Sequence, residues 1–201
     1  LGELENTEIV KIYAKVLSDL CDGEIEQYSY AFNPNISWEY YINKSTTKTA
    51  SLFAACCKSA SILNNKTSEI IYKAEQFGLN LGIAFQIVDD LIGIVGDSKI
   101  TKKPVGNDIR EGKKSLPILL AINRAKTKDK ETILNAFGNS SVSKEELELA
   151  VKTIRSMGIE TIVRKKAMQY SNAARKSLSS YSTSSRKDLL SLLDFVVKRS
   201  L

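Results

Sequence analysis

The chain has 201 residues, 43% apolar and 26% charged, with 29 Lys and Arg against 23 Asp and Glu for a formal charge of +6. This is the composition of a folded globular chain, and the absence of any histidine removes imidazole metal sites, Ser-His-Asp and Cys-His nucleophiles and imidazole general bases. The basic excess lies in short clusters such as Lys113-Lys114 and Arg164-Lys165-Lys166, which suits a phosphate-bearing ligand and lacks the Arg-dominated helix or interleaved aromatics of a nucleic-acid binder.

Residues 4–28 place Ile9, Tyr13, Val16, Leu17, Leu20 and Cys21 three or four apart, which predicts an amphipathic helix almost from the first residue. Such a helix needs neighbours to cover its stripe, so the start at Leu1 is expected to be a processing or cloning boundary. The run NPNIS at 33–37 predicts a turn, with Asn35 or Ser37 capping the next helix. A second helical region is expected from Trp38 to Leu63, interrupted near 44–47, where a Ser/Thr cluster weakens helix propensity. After a turn at Asn64-Asn65, a third helix from Ser68 to Ile94 is apolar around most of its circumference, which predicts a place in the middle of a bundle.

Residues 97–114, DSKITKKPVGNDIREGKK, are expected to form a polar loop without regular structure, a length that usually signals function. Helices are then expected at 115–126, 129–138, 143–155, 157–182 and 186–198, with Ser143/Glu146 and Ser185/Asp188 as capping signatures. The sum is an all-α bundle of seven or eight helices forming one domain over 1–201. No apolar run is read as approaching the roughly 20 residues of a bilayer span, and no signal peptide opens the chain, so membrane contact is expected to be peripheral at most. Cys21, Cys56 and Cys57 show no paired spacing, which predicts reduced thiols and a cytoplasmic location.

The chemistry concentrates in FQIVDDLIGIVGD at 85–97. On a helix, Gln86, Asp89, Asp90, Gly93 and Asp97 fall mostly near one face. Adjacent carboxylates in an apolar setting are costly unless a cation compensates them, and Mg2+, a hard ion for carboxylate and phosphate oxygens, is the natural partner. The plain alternative is a pair near a solvated helix end, with Asp90 pointing outward. Lys102, Lys103, Arg110, Lys113 and Lys114 then surround Gly106 and Gly112, whose missing side chains let backbone approach an anion. A basic run is often only solvated surface. Alternation of lysine with glycine directly after an acidic, apolar helix fits a diphosphate held partly through Mg2+ and partly by ammonium groups.

FQIVDDLIGIVGD followed by KPVGNDIREGKKSLPIL resembles the second aspartate-rich region of the trans-isoprenyl diphosphate synthases, the polyprenyl synthetase family, and most of all archaeal geranylgeranyl or farnesyl diphosphate synthases. TTKTASLF at 46–53 resembles that family's Lys-Thr segment, and CDGEIEQ at 21–27 its Gly-Gln/Glu segment. The blocks stand in family order over residues 5–120 or so. The resemblance implies an isoprenoid synthase-type helical bundle that works as a homodimer. It further implies Mg2+-dependent condensation of isopentenyl diphosphate with an allylic prenyl diphosphate. Residue by residue, it makes Asp89 the Mg2+ ligand and Asp90 its support, places Lys48, Lys103 and Lys113 on diphosphate oxygens, and sets Gln86 and Thr49 at the reacting centre. The departing diphosphate itself takes the proton lost in condensation, so no protein base is needed.

Three departures qualify the resemblance. Gly93 stands where many members carry a third aspartate, and Gln27 where Asp is common. The first aspartate-rich motif, its neighbouring arginines and the N-terminal helices that carry them have no counterpart, so the chain resembles the C-terminal two thirds of a synthase. Two other readings stay open: a noncatalytic partner subunit or degenerate homologue that binds prenyl diphosphate, and an all-α interaction protein without Mg2+-dependent diphosphate affinity.

Overall fold

The computed structural model describes residues 5–29, 37–96, 105–179, 181 and 183–199. All regular structure among them is helical. Helix α1 spans Thr7–Ser29, with the Asn6 side-chain oxygen accepting from the Ile9 N–H at 3.1 Å in the manner of an N-cap. Ile9 and Val16 are buried on its inner face, whereas Leu17 of the expected stripe is 64% exposed. The resemblance implied N-terminal helices without counterpart; α1 is present and packs against α3.

Helix α2, Trp38–Ser45, is capped by Ser37, whose Oγ accepts from the Tyr40 N–H. The expected interruption is a π-helical turn, Thr46–Ala50, that runs directly into α3, Ser51–Leu63. The Ser/Thr cluster widens the helix without breaking it, because its hydroxyls bond to nearby carbonyls. Ser45 donates to Tyr41 O at 2.8 Å, Thr47 to Asn43 O at 3.1 Å and Ser51 to Thr47 O at 2.8 Å.

Helix α4, Ser68–Val95, is the central element, packed along α3 on one side and a long C-terminal helix on the other. Close contact with α3 and with the π-helical turn before it rests on small residues: a Cβ at Gly78 would stand 2.3 Å from Phe53 O, and one at Gly82 would stand 2.6 Å from Ala50 Cα. Contrary to the expectation from sequence, α4 is long and apolar enough to cross a membrane by length and composition, with mean hydropathy 1.5 over its best window. Of that window 56% is buried in the bundle, where Leu81, Ile87, Leu91 and Ile94 form core. This apolarity serves helix packing on several sides at once.

Within the segment expected to be irregular, a short helix α5, Asn107–Arg110, is set by Gly106 at φ +81° and anchored by fully buried Ile109. Residues 97–104, with Lys102 and Lys103, lie outside the described residues. Helices α6 (Leu116–Arg124), α7 (Thr127–Ala136), α8 (Lys144–Ser156), α9 (Ile159–Ser177) and α10 (Thr183–Lys198) complete the order. The Ser143/Glu146 capping box forms as expected. Helix α10 begins at Thr183, two residues before Ser185. Two apolar clusters hold the bundle: Tyr41, Ile87, Leu91, Ile109 and Ile118 around one end of α4, and Phe77, Leu81, Leu193 and Val196 where α10 meets it.

Candidate active site

A cleft of about 350 Å³ opens between the π-helical turn, the last turns of α4 and the α5 segment. Its wall carries Lys44 from the end of α2, Lys48 and Thr49 from the π-helical turn, Gln86, Asp89 and Asp90 from α4, and Asp108 and Lys113 from the α5 segment. Three carboxylates therefore face three ammonium groups, and formal charge is balanced before any ligand enters. The site residues expected at 48, 49, 86, 89, 90 and 113 share this wall; Lys103 lies outside the described residues.

Asp90 does not point outward. It is 7% exposed, and its two oxygens accept from Tyr41 Oη at 2.8 Å and Gln86 Nε2 at 2.7 Å. Thr49 Oγ1 donates in turn to Gln86 Oε1 at 2.7 Å, so a chain of bonds runs from the π-helical turn through α4 to α2. Gln86 is thereby fixed as to which amide end faces which partner. Asp89, one residue before the buried acid, is turned to the cleft, where Arg199 Nη2 comes within 3.6 Å of its Oδ1.

Burial and charge tune these groups. Burial raises the Asp90 carboxyl, and Lys44, Tyr41 and Gln86 pull it back down. Burial, then the neighbouring Asp90 charge, lifts Asp108 to about 6. Tyr41 is pushed well above the usual phenol range by burial and by Asp90, so it donates to that carboxylate as the neutral phenol. Lys44 is 6% exposed and lowered by burial, with Asp90 opposing; its Nζ donates to Lys114 O at 3.2 Å. On the rim, Lys48 pairs with Glu24 at 2.5 Å and Lys113 with Glu111 at 2.5 Å. Gly23 in α1 permits the first of these. A Cβ there would lie 2.8 Å from Thr47 Oγ1, so α1 lies against the turn that carries Lys48.

Lys44, Tyr41 and Asp108 were not singled out from sequence. Lys44 had a signal, one helical turn before Lys48 on the same face. Tyr41 and Asp108 had none, because each reaches the acid pair only through tertiary packing.

The donor set fits a hard divalent cation of a particular kind. Among the described residues, no three acidic or thiol side chains stand close enough to cage a metal on their own. Mg2+ does not need a cage: it keeps several waters and takes one or two carboxylates plus substrate oxygens. Asp89 facing the cleft with Asp90 behind it offers that, and Asp108, raised first by burial and then by the Asp90 charge, lines the same wall.

Residues 1–154 match the family described as polyprenyl synthetase. The chain is 34% identical over 160 residues to geranylgeranyl diphosphate synthase of Saccharolobus solfataricus, covering 80% of this chain and 46% of that protein. It is 36% identical over 174 residues to a prenyl transferase of Porphyra purpurea, covering 87% and 52%. The chain thus spans about half the length of the curated relatives it matches. Among solved structures, a polyprenyl synthase from Caulobacter crescentus CB15, complexed with calcium and isoprenyl diphosphate, superposes with a TM-score of 0.93 at 29% identity, covering all of this chain and 61% of that one. A decaprenyl diphosphate synthase from Rhodobacter capsulatus superposes with a TM-score of 0.89 at 28% identity, covering 98% and 61%. These matches take in nearly the whole chain, beyond the residues spanned by the four motif blocks.

Proposed function

Because the chain belongs to the polyprenyl synthetase family, we propose that the protein condenses isopentenyl diphosphate with an allylic prenyl diphosphate, Mg2+-dependent and of the geranylgeranyl or farnesyl diphosphate type. The cleft beside Asp89 takes the allylic diphosphate. One observation carries this reading: Lys48, Thr49, Gln86, Asp89 and Lys113, from three separate segments, line one cleft. The calcium and isoprenyl diphosphate of the Caulobacter structure and the naming of the Saccharolobus relative support it.

Asp89 would hold Mg2+ with Asp90 as its support. When bound, the ion supplies positive charge to the diphosphate oxygens and so favours cleavage of the allylic carbon–oxygen bond. Lys48 and Lys113 donate to the same oxygens, and Lys103 is assigned this role on the resemblance. Their charge is worth most where water is excluded and no reorganisation is needed as the bond breaks. The Thr49–Gln86–Asp90 chain holds fixed polar oxygens beside the reacting carbon. The isopentenyl π bond then forms the new carbon–carbon bond while the allylic carbon–oxygen bond breaks, and the proton lost from the adduct passes to the released diphosphate. That route uses no imidazole, in keeping with a chain that has none. A homodimer in the cytoplasm completes the proposal.

The test is incorporation of labelled isopentenyl diphosphate by the full-length protein, with dimethylallyl or geranyl diphosphate and Mg2+. Extended prenyl diphosphate is expected, and Asp89→Ala should lower turnover by at least about tenfold through lost transition-state stabilisation. Near wild-type turnover in that variant refutes the assignment. Diphosphate binding without incorporation would favour the noncatalytic partner subunit.

A further inference from the structure

Gly93 follows Asp89 by one helical turn, where a third acid would extend the carboxylate row of α4 toward the cleft. Its missing side chain leaves space that a different element uses. A Cβ built at Gly93 would stand 3.1 Å from Asp108 Oδ2 and 3.8 Å from Asp108 Cγ. The Asp108 carboxylate therefore occupies the region into which a side chain at position 93 would grow.

Backbone contacts hold it there. The Gly106 N–H donates to the Gly93 carbonyl at 3.0 Å, tying the start of α5 to α4 at that residue. Ile109, next to Asp108, is fully buried, and its carbonyl accepts from the Gly138 N–H at 2.8 Å. Asp108 is thus carried by an anchored turn. It lines the same cleft as Asp89 and Asp90. Service to Lys113 does not explain it: that ammonium lies 3.8 Å from Asp108 and is already bonded to Glu111 at 2.5 Å.

We propose that Asp108 supplies, from α5, the third carboxylate that α4 lacks at position 93, accepting hydrogen bonds from waters carried by the cation at Asp89. The inference rests on the diphosphate-site reading above. Mg2+ retains waters that need acceptors, and partners one step beyond the direct ligands commonly set affinity by ten- to a hundredfold. It also gives Gly93 a reason: the glycine makes room for a carboxylate arriving from the neighbouring segment.

The experiment titrates Mn2+, a paramagnetic stand-in for Mg2+, into the full-length protein with inorganic pyrophosphate, reading bound ion by electron paramagnetic resonance. Asp108→Asn should weaken Mn2+ binding by roughly tenfold or more. Gly93→Ala leaves every carboxylate in place but crowds Asp108, and should weaken binding by about two- to threefold without lowering the melting temperature, since alanine favours the helix. Gly93→Asp in the Asp108→Asn background should recover most of the loss. If Asp89→Ala loses Mn2+ while Asp108→Asn binds as wild type, this inference falls and the diphosphate site stands. If neither variant changes binding, the site reading itself falls. Should Asp108→Asn fail to fold, Gly93→Ala decides: wild-type affinity there overturns the proposal.

Discussion

Arg199, just past the end of α10, and Asp89, near the end of α4, form an ion pair at 3.6 Å beside the cleft. The same guanidinium lies 4.5 Å over the Phe85 ring and donates to Phe85 O at 3.4 Å. The C-terminal helix therefore closes on the carboxylate assigned to the metal, and Arg199 serves as its resting counter-cation. The pair is partly exposed, with side chains 20% and 33% accessible, so its worth is on the order of 1 kcal/mol or less.

A cation that enters at Asp89 must displace that pairing. Arg199→Ala is expected to bind Mn2+ about two- to fivefold more tightly, consistent with removal of a competitor worth up to about 1 kcal/mol. Calorimetric titration of wild type and variant checks it. Weaker binding by the variant would mean that Arg199 holds the diphosphate instead of competing with the metal.

Tyr41→Phe removes the phenol that donates to Asp90 at 2.8 Å in a fully buried setting. The carboxylate keeps the Gln86 bond and loses its other donor. Stability should drop by about 1–3 kcal/mol, the cost of a buried acceptor left short of a partner. Urea unfolding measures this, and an unchanged midpoint would show that water replaces the phenol without penalty.

The elements were legible in the sequence because most helices carry their own period of 3.6 and their own caps. Ser143 with Glu146 is a local signal and formed as read. Ser182, Thr183, Ser184 and Ser185 in a row offer equivalent caps, which is why the start of α10 could not be fixed to Ser185 by pattern. The Ser/Thr cluster at 44–47 signalled weak propensity correctly, yet not that its own hydroxyls would satisfy a widened turn. In the site, the acid pair and the lysines stood out by type and spacing. The orientation of Asp90 did not, since it is set by Tyr41 from another helix, and neither did the arrival of Asp108 over Gly93.

The raised Asp108 carboxyl makes a pH prediction with a definite sign. Its folded value of about 6 lies above the unfolded value near 3.8. Between those values the folded chain binds the proton more tightly than the unfolded chain, so stability falls as pH rises from about 4 to about 6. A shift of about two units sets a ceiling near 3 kcal/mol, and the side chain is 25% accessible, which reduces it. Asp90, raised by burial, adds slope of the same sign. Unfolding by urea at stepped pH should show the fall, and Asp108→Asn should flatten it in part. A slope unchanged by Asp108→Asn would place the proton elsewhere.

Gly82→Ala opposes two effects whose magnitudes decide the outcome. Alanine in a helix interior gains about 1 kcal/mol over glycine. Its Cβ would stand 2.6 Å from Ala50 Cα and 2.8 Å from Ala50 Cβ, inside any real carbon contact. Ala50 belongs to the π-helical turn and is fully buried, so relief requires moving backbone and not rotating a side chain. Overpacking of this kind costs about 1–3 kcal/mol or more, so the net effect should be destabilising. The same shift would pull Thr49, adjacent to Ala50, away from Gln86, whose bond to it is 2.7 Å. Thermal unfolding and turnover should therefore fall together in this variant. A protein with raised melting temperature and full turnover would mean that α3 and α4 separate without disturbing the site between them.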